Sequence, residues 1–288
     1  MEVAKGVVRL RADNPGPMTG SGTNSYLLFG PEGAVVIDPG PALPAHLQAI
    51  LRALGDAPLR AILVSHAHLD HTALVPELAA VTGAQVLGFG RAASGRSDVM
   101  QRLAQAMPGG GEGVDHGFAP DVLLQDGQIL RLAGLEIEVL HTPGHMGGHL
   151  CFGMGDRLFS GDHVMGWSTS LVSPPDGDMG DYMASLAVLA ARDWTMFWPG
   201  HGEVIDDPAA RLAELMQHRR TREAAICAAL LAGALDANAL AQVIYCETPA
   251  ALLPAAARNI LAHLIDLHDR KIVTCTDTIG PATRFALI

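Results

Sequence analysis

Lysine is almost absent from this chain of 288 residues, which contains only Lys5 and Lys271. Arginine therefore carries nearly all of the positive charge, and acidic residues are frequent enough to give a formal net charge of −11. A net negative charge opposes non-specific binding to nucleic acid and to anionic membranes. Nucleic acid is therefore a disfavoured partner, although one local cluster of arginines is compatible with the total.

Cysteine is also scarce, and long hydrophobic runs are missing. The four cysteines form no CxxC pair and are Cys151, Cys227, Cys246 and Cys275. Such isolated cysteines pack as small apolar residues in a reducing compartment. The longest apolar run, residues 224–235, is interrupted by Gly233 and is too short to span a bilayer. Because the first residues also lack the layout of a signal peptide, we predict a cytoplasmic protein without a membrane segment.

Hydrophobic residues make up 49% of the chain, which is enough for a full core. Up to about residue 206, predicted strands alternate with helices, and this pattern favours an α/β fold with two mixed sheets and outer helices. A helix starting near Asp98 is predicted to end at the glycine-rich residues 108–111. After Asp206 the pattern changes to three helices and a terminal hairpin. We predict a catalytic domain at residues 1–206 and a small winged-helix-like domain at residues 207–288.

One hexapeptide, His66-Ala67-His68-Leu69-Asp70-His71, concentrates metal-ligand side chains. It lies between a predicted buried strand at residues 60–65 and a predicted helix at residues 72–82. A catalytic zinc usually takes three protein ligands, so four such side chains exceed what one ion uses. In an extended segment His66 and His68 project to the same side, whereas Asp70 and His71 follow a turn. The hexapeptide therefore predicts two adjacent metal ions.

Three later segments each place a further ligand after a glycine near a strand end. These ligands are His145, Asp162 and His201. Glycine lets the backbone bend close to a metal, and separate strand ends form a rigid site. A single histidine in a loop is more often structural than a ligand. Spacing alone therefore leaves both interpretations open for each of these three residues.

The combined motifs resemble the metallo-β-lactamase superfamily over about residues 20–205. The motifs are His66-x-His68-x-Asp70-His71, Thr142-Pro143-Gly144-His145, Ser160-Gly161-Asp162 and Pro199-Gly200-His201. The resemblance implies an αβ/βα sandwich with the metals at one edge. It also implies that His66, His68 and His145 hold the first metal, that Asp70, His71 and His201 hold the second, and that Asp162 bridges both.

The second half resembles the C-terminal winged-helix-like domain of the beta-lactamase-like protein 2 group. The residues that carry this resemblance are His218-Arg219-Arg220-Thr221-Arg222-Glu223, Val243-Ile244-Tyr245 and Ala262-His263-Leu264. A generic helical cap on a hydrolase is the alternative interpretation. Glyoxalase II shares the first half of the pattern but ends in a different helical region.

Several neighbouring residues have two open interpretations. His141 and His149 either hold a ligand ring in one tautomer or pack in the core. The sequence does not predict in which direction the side chain of His163 points. The loop at residues 167–180 either lines the substrate pocket or covers the surface. The arginines 219, 220 and 222 either meet a phosphate or form a solvated helix face.

The leading functional hypothesis is a dinuclear metal-dependent hydrolase with two zinc ions per chain, iron or manganese being alternatives. A metal-bridging hydroxide would attack an ester, thioester or phosphodiester, while Asp70 acts as the catalytic residue that orients the hydroxide or moves its proton. The expected partner is a small-molecule acyl or phosphodiester substrate. The chemical identity of that substrate and the oligomeric state are left undefined by the sequence.

Other functional classes compete with this hypothesis. The nearest resemblance includes an endoribonuclease that acts on single-stranded RNA, and persulfide dioxygenases on the same fold bind one iron through fewer ligands. A nucleic-acid-binding module led by the C-terminal domain is a third class, but its predicted helix at residues 252–267 carries only one arginine, Arg258. β-Lactam hydrolysis is disfavoured because such enzymes are usually exported.

Overall fold

The first of two facing sheets has seven strands in the spatial order of the chain. The computed structural model describes residues 1–107 and 113–288, so the helix break predicted at 108–111 lies outside the described residues. The strands are β1 (Glu2–Ala4), β2 (Val7–Arg11), β3 (Asn24–Gly30), β4 (Gly33–Ile37), β5 (Leu59–Leu63), β6 (Gln85–Gly88) and β7 (Val122–Leu123). Pairing is antiparallel from β1 to β4 and parallel from β4 to β7. The sheet is therefore mixed, as predicted.

The second sheet has five strands in the order β12-β11-β10-β9-β8. They are β8 (Ile129–Leu132), β9 (Leu135–His141), β10 (Leu150–Met154), β11 (Arg157–Gly161) and β12 (Met196–Pro199). β11 and β12 run parallel, and the other pairs are antiparallel. The parallel pair brings the carboxyl ends of β11 and β12 to the same edge of the sheet.

Alternation along each strand sorts its side chains between two cores. Leu28 and Leu63 point into the core between the sheets, where they join Phe152 of the second sheet. Leu27 and Ile62 point to the opposite face of the first sheet and pack against helices. These helices are α1 (Pro44–Leu54) and α3 (Val75–Thr82), and the short helix α2 (Leu69–Thr72) precedes α3. The predicted αβ/βα sandwich is therefore confirmed.

The helix predicted at residues 72–82 is divided into α2 and α3. Pro76 lies in the first turn of α3, where a missing N–H costs nothing, but it cannot continue a helix from α2. As a result, Asp70 and His71 lie on one helical turn, while His66 and His68 stay on the extended segment before it. The two halves of the hexapeptide therefore have different backbone conformations, one extended and one helical.

The remaining helices cover the second sheet and form the C-terminal region. They are α4 (Asp98–Ala106), α5 (Met179–Ala190), α6 (Pro208–Leu230), α7 (Ala237–Ile244) and α8 (Leu253–Asp269), with the hairpin strands β13 (Val273–Thr274) and β14 (Ala286–Leu287). Asp207 caps α6 by accepting a hydrogen bond from the N–H of Ala210 at 3.0 Å. Leu212 of α6 packs in a core with α5, whereas Leu230 packs with α7 and α8. One long helix thus contributes to two cores.

One helical stretch in the described part of the chain, Ala250–Asp269, is long and apolar enough to cross a membrane by length and composition. The sequence pattern pointed instead to residues 224–235 as the longest apolar run. Half of the most apolar window is buried inside the protein, and side chains such as Ile260 and Leu264 are fully buried in the C-terminal core. The hydrophobicity of this helix is therefore that of a core element.

Candidate metal centre

The seven predicted ligands meet at one edge of the sandwich, because the segments that carry them follow strands that end there. His66 and His68 follow β5, Asp162 follows β11 and His201 follows β12, while His145 lies on the loop from β9 to β10. Their donor atoms form overlapping groups in which all atoms lie within 4.8 Å of one another. The fold thus brings together residues that are up to 135 positions apart in the chain.

The first group consists of three imidazoles whose ring nitrogens converge. The Nδ1 atom of His68 lies 2.8 Å from Nε2 of His66 and 3.1 Å from Nε2 of His145. The outer nitrogen of His145 donates to the carbonyl oxygen of Leu171 at 2.7 Å. That bond places the proton of His145 on Nδ1 and leaves the lone pair of Nε2 facing the group.

The second group combines Asp70, His71 and His201. The Oδ2 atom of Asp70 lies 3.3 Å from Nε2 of His71 and 3.1 Å from Nε2 of His201. The Nδ1 atom of His201 donates to the carbonyl oxygen of Gly22 at 3.3 Å, so its lone pair also faces the group. Thr23 donates its hydroxyl proton to Asp70 Oδ2 at 3.2 Å and fixes the carboxylate.

Asp162 lies between the two groups. Its Oδ1 atom is 3.4 Å from Nε2 of His71, and its Oδ2 atom is 3.3 Å from Nε2 of His201 and 3.8 Å from Nε2 of His145. Its backbone N–H donates to Nε2 of His149 at 3.2 Å, and its carbonyl oxygen accepts a hydrogen bond from Ser170. One carboxylate therefore reaches histidines of both groups.

The charges of the cluster fit a bound cation. Burial lowers the pKa of His201, but Asp162 and Asp70 outweigh it and raise that pKa to about 9. Burial raises the pKa of Asp162, but His201 and His71 outweigh it and hold that pKa well below its usual range. Within residues 1–107 and 113–288, no hydrogen-bond partner reaches His71 Nε2 or Asp162 Oδ1, although both atoms are buried. A divalent cation would supply both the positive charge and the missing partner.

The first group has the opposite electrostatic character. Burial and the neighbouring His145 lower the pKa of His68 to about 3, and burial with His71 and His68 lowers the pKa of His66. Both rings are therefore neutral near pH 7, which is the form in which imidazole binds a metal. The two groups together thus offer neutral nitrogen donors and anionic oxygen donors.

Sequence reasoning missed Asp38, which orients a histidine of each group. Its carboxylate accepts hydrogen bonds from the N–H of Ser65 at 2.7 Å, the Ser65 hydroxyl at 2.6 Å and His71 Nδ1 at 2.9 Å. The Ser65 oxygen in turn lies 2.9 Å from Nδ1 of His66 and accepts its proton. Asp38 follows the end of β4, so a carboxylate at the carboxyl end of a buried strand was the available signal.

The three neighbouring histidines differ in their contacts. His149 Nδ1 lies 2.9 Å from the hydroxyl of Thr142, and its Nε2 holds the backbone of Asp162. His141 stacks on the ring of Phe89 at 4.2 Å and lies 2.8 Å from the carbonyl oxygen of Gly147. His163 is fully buried beside the ring of Tyr182. Among them, only His149 contacts one of the seven ligands through a hydrogen bond.

The arginines 219, 220 and 222 of α6 do not form one solvated face. Arg219 is only 2% exposed and lies over the ring of Tyr182 at 5.0 Å. Arg222 lies over the ring of Tyr245 at 4.0 Å, and Arg220 is exposed. Two of the three side chains are therefore packing elements, which leaves only Arg220 directed to solvent.

Gly200 provides a test of how tightly the ligands are packed. A Cβ atom at this position would overlap Asp162 Oδ1 and lie 2.9 Å from Cε1 of His71. We expect Gly200→Ala to weaken zinc binding by about tenfold, since displaced ligands lose their geometry. Chelator competition measures the affinity, with Gly280→Ala as the control because its new Cβ meets nothing nearer than 4.0 Å. An unchanged zinc affinity in Gly200→Ala would contradict this packing argument.

Both parts of the chain are similar to known protein families. Residues 18–201 match the sequence profile of the metallo-beta-lactamase superfamily, and residues 237–280 match the beta-lactamase associated winged helix domain. The motifs resemble that superfamily over about residues 20–205. The profile match begins two residues before this range and ends four residues before its end. The predicted resemblance is therefore confirmed.

Two fungal proteins and one insect protein are among the relatives that are similar to this chain. Lactamase-like protein aptB of Emericella nidulans is 32% identical to this chain over 77% of its residues. The atrochrysone carboxyl ACP thioesterase of Aspergillus chevalieri is 32% identical over 78%. The chain spans only 64% and 65% of their lengths. The beta-lactamase-like protein 2 homolog of Drosophila melanogaster is 32% identical over 91% of the chain and 87% of its own length.

One solved structure shares the whole architecture, and another shares part of it. A metallo-beta-lactamase family protein from Thermus thermophilus aligns with a TM-score of 0.80 at 25% identity, covering 99% of this chain and all of its own. A second structure, TTHA1623 in a di-iron-bound form, covers 71% of this chain and 98% of its own at 29% identity and a TM-score of 0.53. The first of these similarities extends through the C-terminal region, and the second is confined to part of the chain.

Proposed function

The chain belongs to the metallo-beta-lactamase superfamily, and on that premise we propose that it is a dinuclear metal-dependent hydrolase of esters or thioesters with an apolar acyl group. The convergence of seven nitrogen and oxygen donors at one edge of the sandwich carries this proposal. A superfamily relative is named as a thioesterase, which supports the thioester as one substrate class.

We propose the division of ligands that the family resemblance implies. His66, His68 and His145 would hold one ion, Asp70, His71 and His201 would hold the other, and Asp162 would contact both. Nitrogen and carboxylate donors suit zinc, and they also suit iron or manganese. When bound, such ions lower the pKa of water to about 7 and stabilise a developing oxyanion, which is the chemistry that ester and thioester hydrolysis requires.

Asp70 is the residue that we propose to move a proton. Its side chain is 26% exposed, compared with 10% for Asp162, so it faces the open side of the cluster. Burial raises the pKa of Asp70, but the neighbouring His71 and His201 outweigh it and keep that pKa well below its usual range. The carboxylate is therefore ionised near neutral pH and can accept a hydrogen bond from an attacking water, which is the contact that proton transfer requires.

The proposed substrate class is supported by a groove that is lined in part by Gly202, the residue after His201. This groove has a volume of about 500 Å³ and is lined by residues that include Gly20, Trp167 and Gly202. The Trp167 side chain is 45% exposed and lies against both glycines. A Cβ atom at either glycine would crowd the Trp167 ring. A large exposed aromatic beside a polar centre is suited to hold an apolar group. We therefore propose that the acyl group lies along Trp167.

Two arginines near the groove, Arg9 and Arg211, are already paired with carboxylates, which disfavours RNA as the substrate. Arg9 contacts Glu203 at 2.8 Å, and Arg211, which lines the groove, contacts Glu214 at 2.7 Å. The helix α8, which would read nucleic acid in a winged-helix domain, buries side chains such as Ile260 in the core. A phosphate at these two arginines would therefore meet cations that already have carboxylate partners.

Truncation of Trp167 tests the substrate assignment. We expect Trp167→Ala to raise KM for long-chain acyl thioesters by about tenfold, the equivalent of about 1.4 kcal/mol of lost apolar contact, while acetyl thioesters change little. Trp167→Phe should retain most of the affinity. Steady-state kinetics on an acyl-length series measures the effect, with Leu231→Ala as the control because that side chain is 79% exposed and lies at the end of α6.

Two results would count against the acyl assignment. Equal KM changes for acetyl and long-chain substrates would show that Trp167 does not bind the acyl group. Faster turnover of single-stranded RNA than of any thioester would instead identify a phosphodiesterase.

We also propose a cytoplasmic location, and fractionation of cells that produce the protein tests it.

A further inference from the structure

The loop from β11 to α5, residues 162–178, lies between the metal cluster and the C-terminal helices. It begins with Asp162, and its carbonyl oxygen at Leu171 accepts the hydrogen bond from Nδ1 of His145 at 2.7 Å. That bond fixes the ring orientation of His145 and directs Nε2 toward His68. The position of the Leu171 carbonyl therefore decides where one proposed ligand points.

The residues on both sides of Leu171 are held by helices of the C-terminal region. Arg219 of α6 donates a hydrogen bond from Nη2 to the carbonyl oxygen of Ser170. Asn259 of α8 accepts the N–H of Val172 at its Oδ1 atom, with a distance of 3.0 Å. The same oxygen accepts a hydrogen bond from Arg219 Nη1 at 3.3 Å. The two side chains thus form one connected brace around Leu171.

Burial makes this brace rigid. Ser170 and Val172 are completely buried, and the guanidinium of Arg219 lies over the ring of Tyr182. Buried polar groups must find partners inside the protein, so the loop has no solvent alternative to these hydrogen bonds. The hydroxyl of Ser170 also donates to the carbonyl oxygens of Asp162 and His163. The same braced loop therefore supports Asp162 as well as His145.

We propose that Arg219 and Asn259 are positioning residues of the metal centre, which hold the 170–172 backbone so that Leu171 orients His145. This inference rests on the proposed function, because it takes His145 as a metal ligand. It gives the C-terminal region a role in the site itself. The three-helix region completes the metal centre from the outside of the second sheet.

Metal affinity tests the brace directly. Asn259→Leu removes the acceptor for Val172 N–H at similar volume, whereas Asn259→Asp keeps an oxygen acceptor in place. We expect Asn259→Leu to weaken zinc binding about tenfold and to alter the visible absorption spectrum of the cobalt-substituted protein, because outer partners of metal-bound histidines tune affinity and geometry. Asn259→Asp should restore both properties to near wild type.

Arg219 supplies a second, matched comparison on the same helix. Arg219→Lys keeps the charge but lacks the fork that reaches both Ser170 and Asn259. Arg222→Lys is the control, because Arg222 contacts Tyr245 and the Ile244 carbonyl instead of the loop. We expect Arg219→Lys to weaken zinc binding and alter the cobalt spectrum, and Arg222→Lys to change neither.

Full-length wild type and His145→Ala complete the experiment as references. If His145→Ala loses affinity while Asn259→Leu keeps the wild-type affinity and cobalt spectrum, the brace is refuted and the proposed function stands. If His145→Ala binds zinc as tightly as wild type, His145 is not a ligand, and the proposed function and the brace both fail. Because Asn259 is only half-buried, its variants decide the question even if Arg219→Lys does not fold.

Discussion

Replacing Asp162 with alanine is expected to reduce hydrolysis by more than about a hundredfold and to weaken metal binding at both groups. Substitution of outer partners alone typically costs about 10–100-fold in affinity or activity, so loss of a direct ligand should exceed that range. Asp162 has the largest expected effect because its two oxygens contact His71, His145 and His201. No other carboxylate of the described cluster reaches histidines of both groups.

Two comparison variants make the Asp162 result specific. His68→Ala should weaken the first group and lower activity, because His68 Nδ1 lies at the centre of the three converging nitrogens. Asp121→Ala is the control, since that carboxylate accepts the N–H of Val86 on the first sheet. Thioesterase kinetics and elemental analysis are measured together. Full activity in Asp162→Ala or His68→Ala would overturn the ligand assignment.

The second large effect is expected for Asp38→Asn, which exchanges a carboxylate for an amide outside the ligand set. An amide keeps one oxygen for the N–H of Ser65 but places N–H donors opposite His71 Nδ1 and the Ser65 hydroxyl. His71 would then accept at Nδ1 and carry its proton on Nε2, the atom that faces the second group. We expect metal affinity and activity to fall by about 10–100-fold.

The Asp38 result has a distinct signature. Asp38→Ala should additionally destabilise the fold, since the buried N–H of Ser65 loses its acceptor at a cost of about 1–3 kcal/mol. Asp38→Asn should keep more of the unfolding free energy while losing metal affinity. Denaturant unfolding and zinc competition measure the two properties separately. Wild-type zinc affinity in Asp38→Asn would show that this carboxylate does not set the His71 tautomer.

The sandwich was predictable because it depends on short, local signals, and the ligand set stays a prediction. Strands such as β4 are continuous apolar runs, and the glycine-preceded candidate ligands His145, Asp162 and His201 lie next to strand ends. The edge strands β1 and β7 were not predicted, since strands of three and two residues carry too little pattern. The close approach of seven ligands came from the resemblance and not from spacing.

The partners that orient the ligands were not predictable, because they come from distant segments. Asp38 follows β4 and reaches His71 across 33 positions, so its place after a buried strand makes it a candidate without showing which residue it contacts. Arg219 looked like part of a basic run, yet its guanidinium is buried between α6 and the loop around Ser170. Such roles depend on tertiary contacts that a hydrophobic pattern does not encode.

The predicted domain boundary near Asp206 stays a prediction. The helix α6 begins at Pro208, but its first half packs in the core that holds Tyr182, and its second half packs with α7 and α8. In addition, Met100 of α4 lies in the C-terminal core, although it precedes the boundary by about a hundred residues. Tryptic digestion and thermal unfolding of the full chain would show whether the two regions unfold separately.

The central claim is that this edge of the sandwich holds two metal ions that the protein uses for hydrolysis. Elemental analysis of the purified full-length chain, paired with a panel of thioesters, lactones, phosphodiesters and single-stranded RNA, tests it most directly. The account predicts two zinc, iron or manganese ions per chain and thioester hydrolysis that is lost on chelation and restored by the metal. One iron per chain with persulfide oxidation, or full hydrolysis by the metal-free protein, would contradict it.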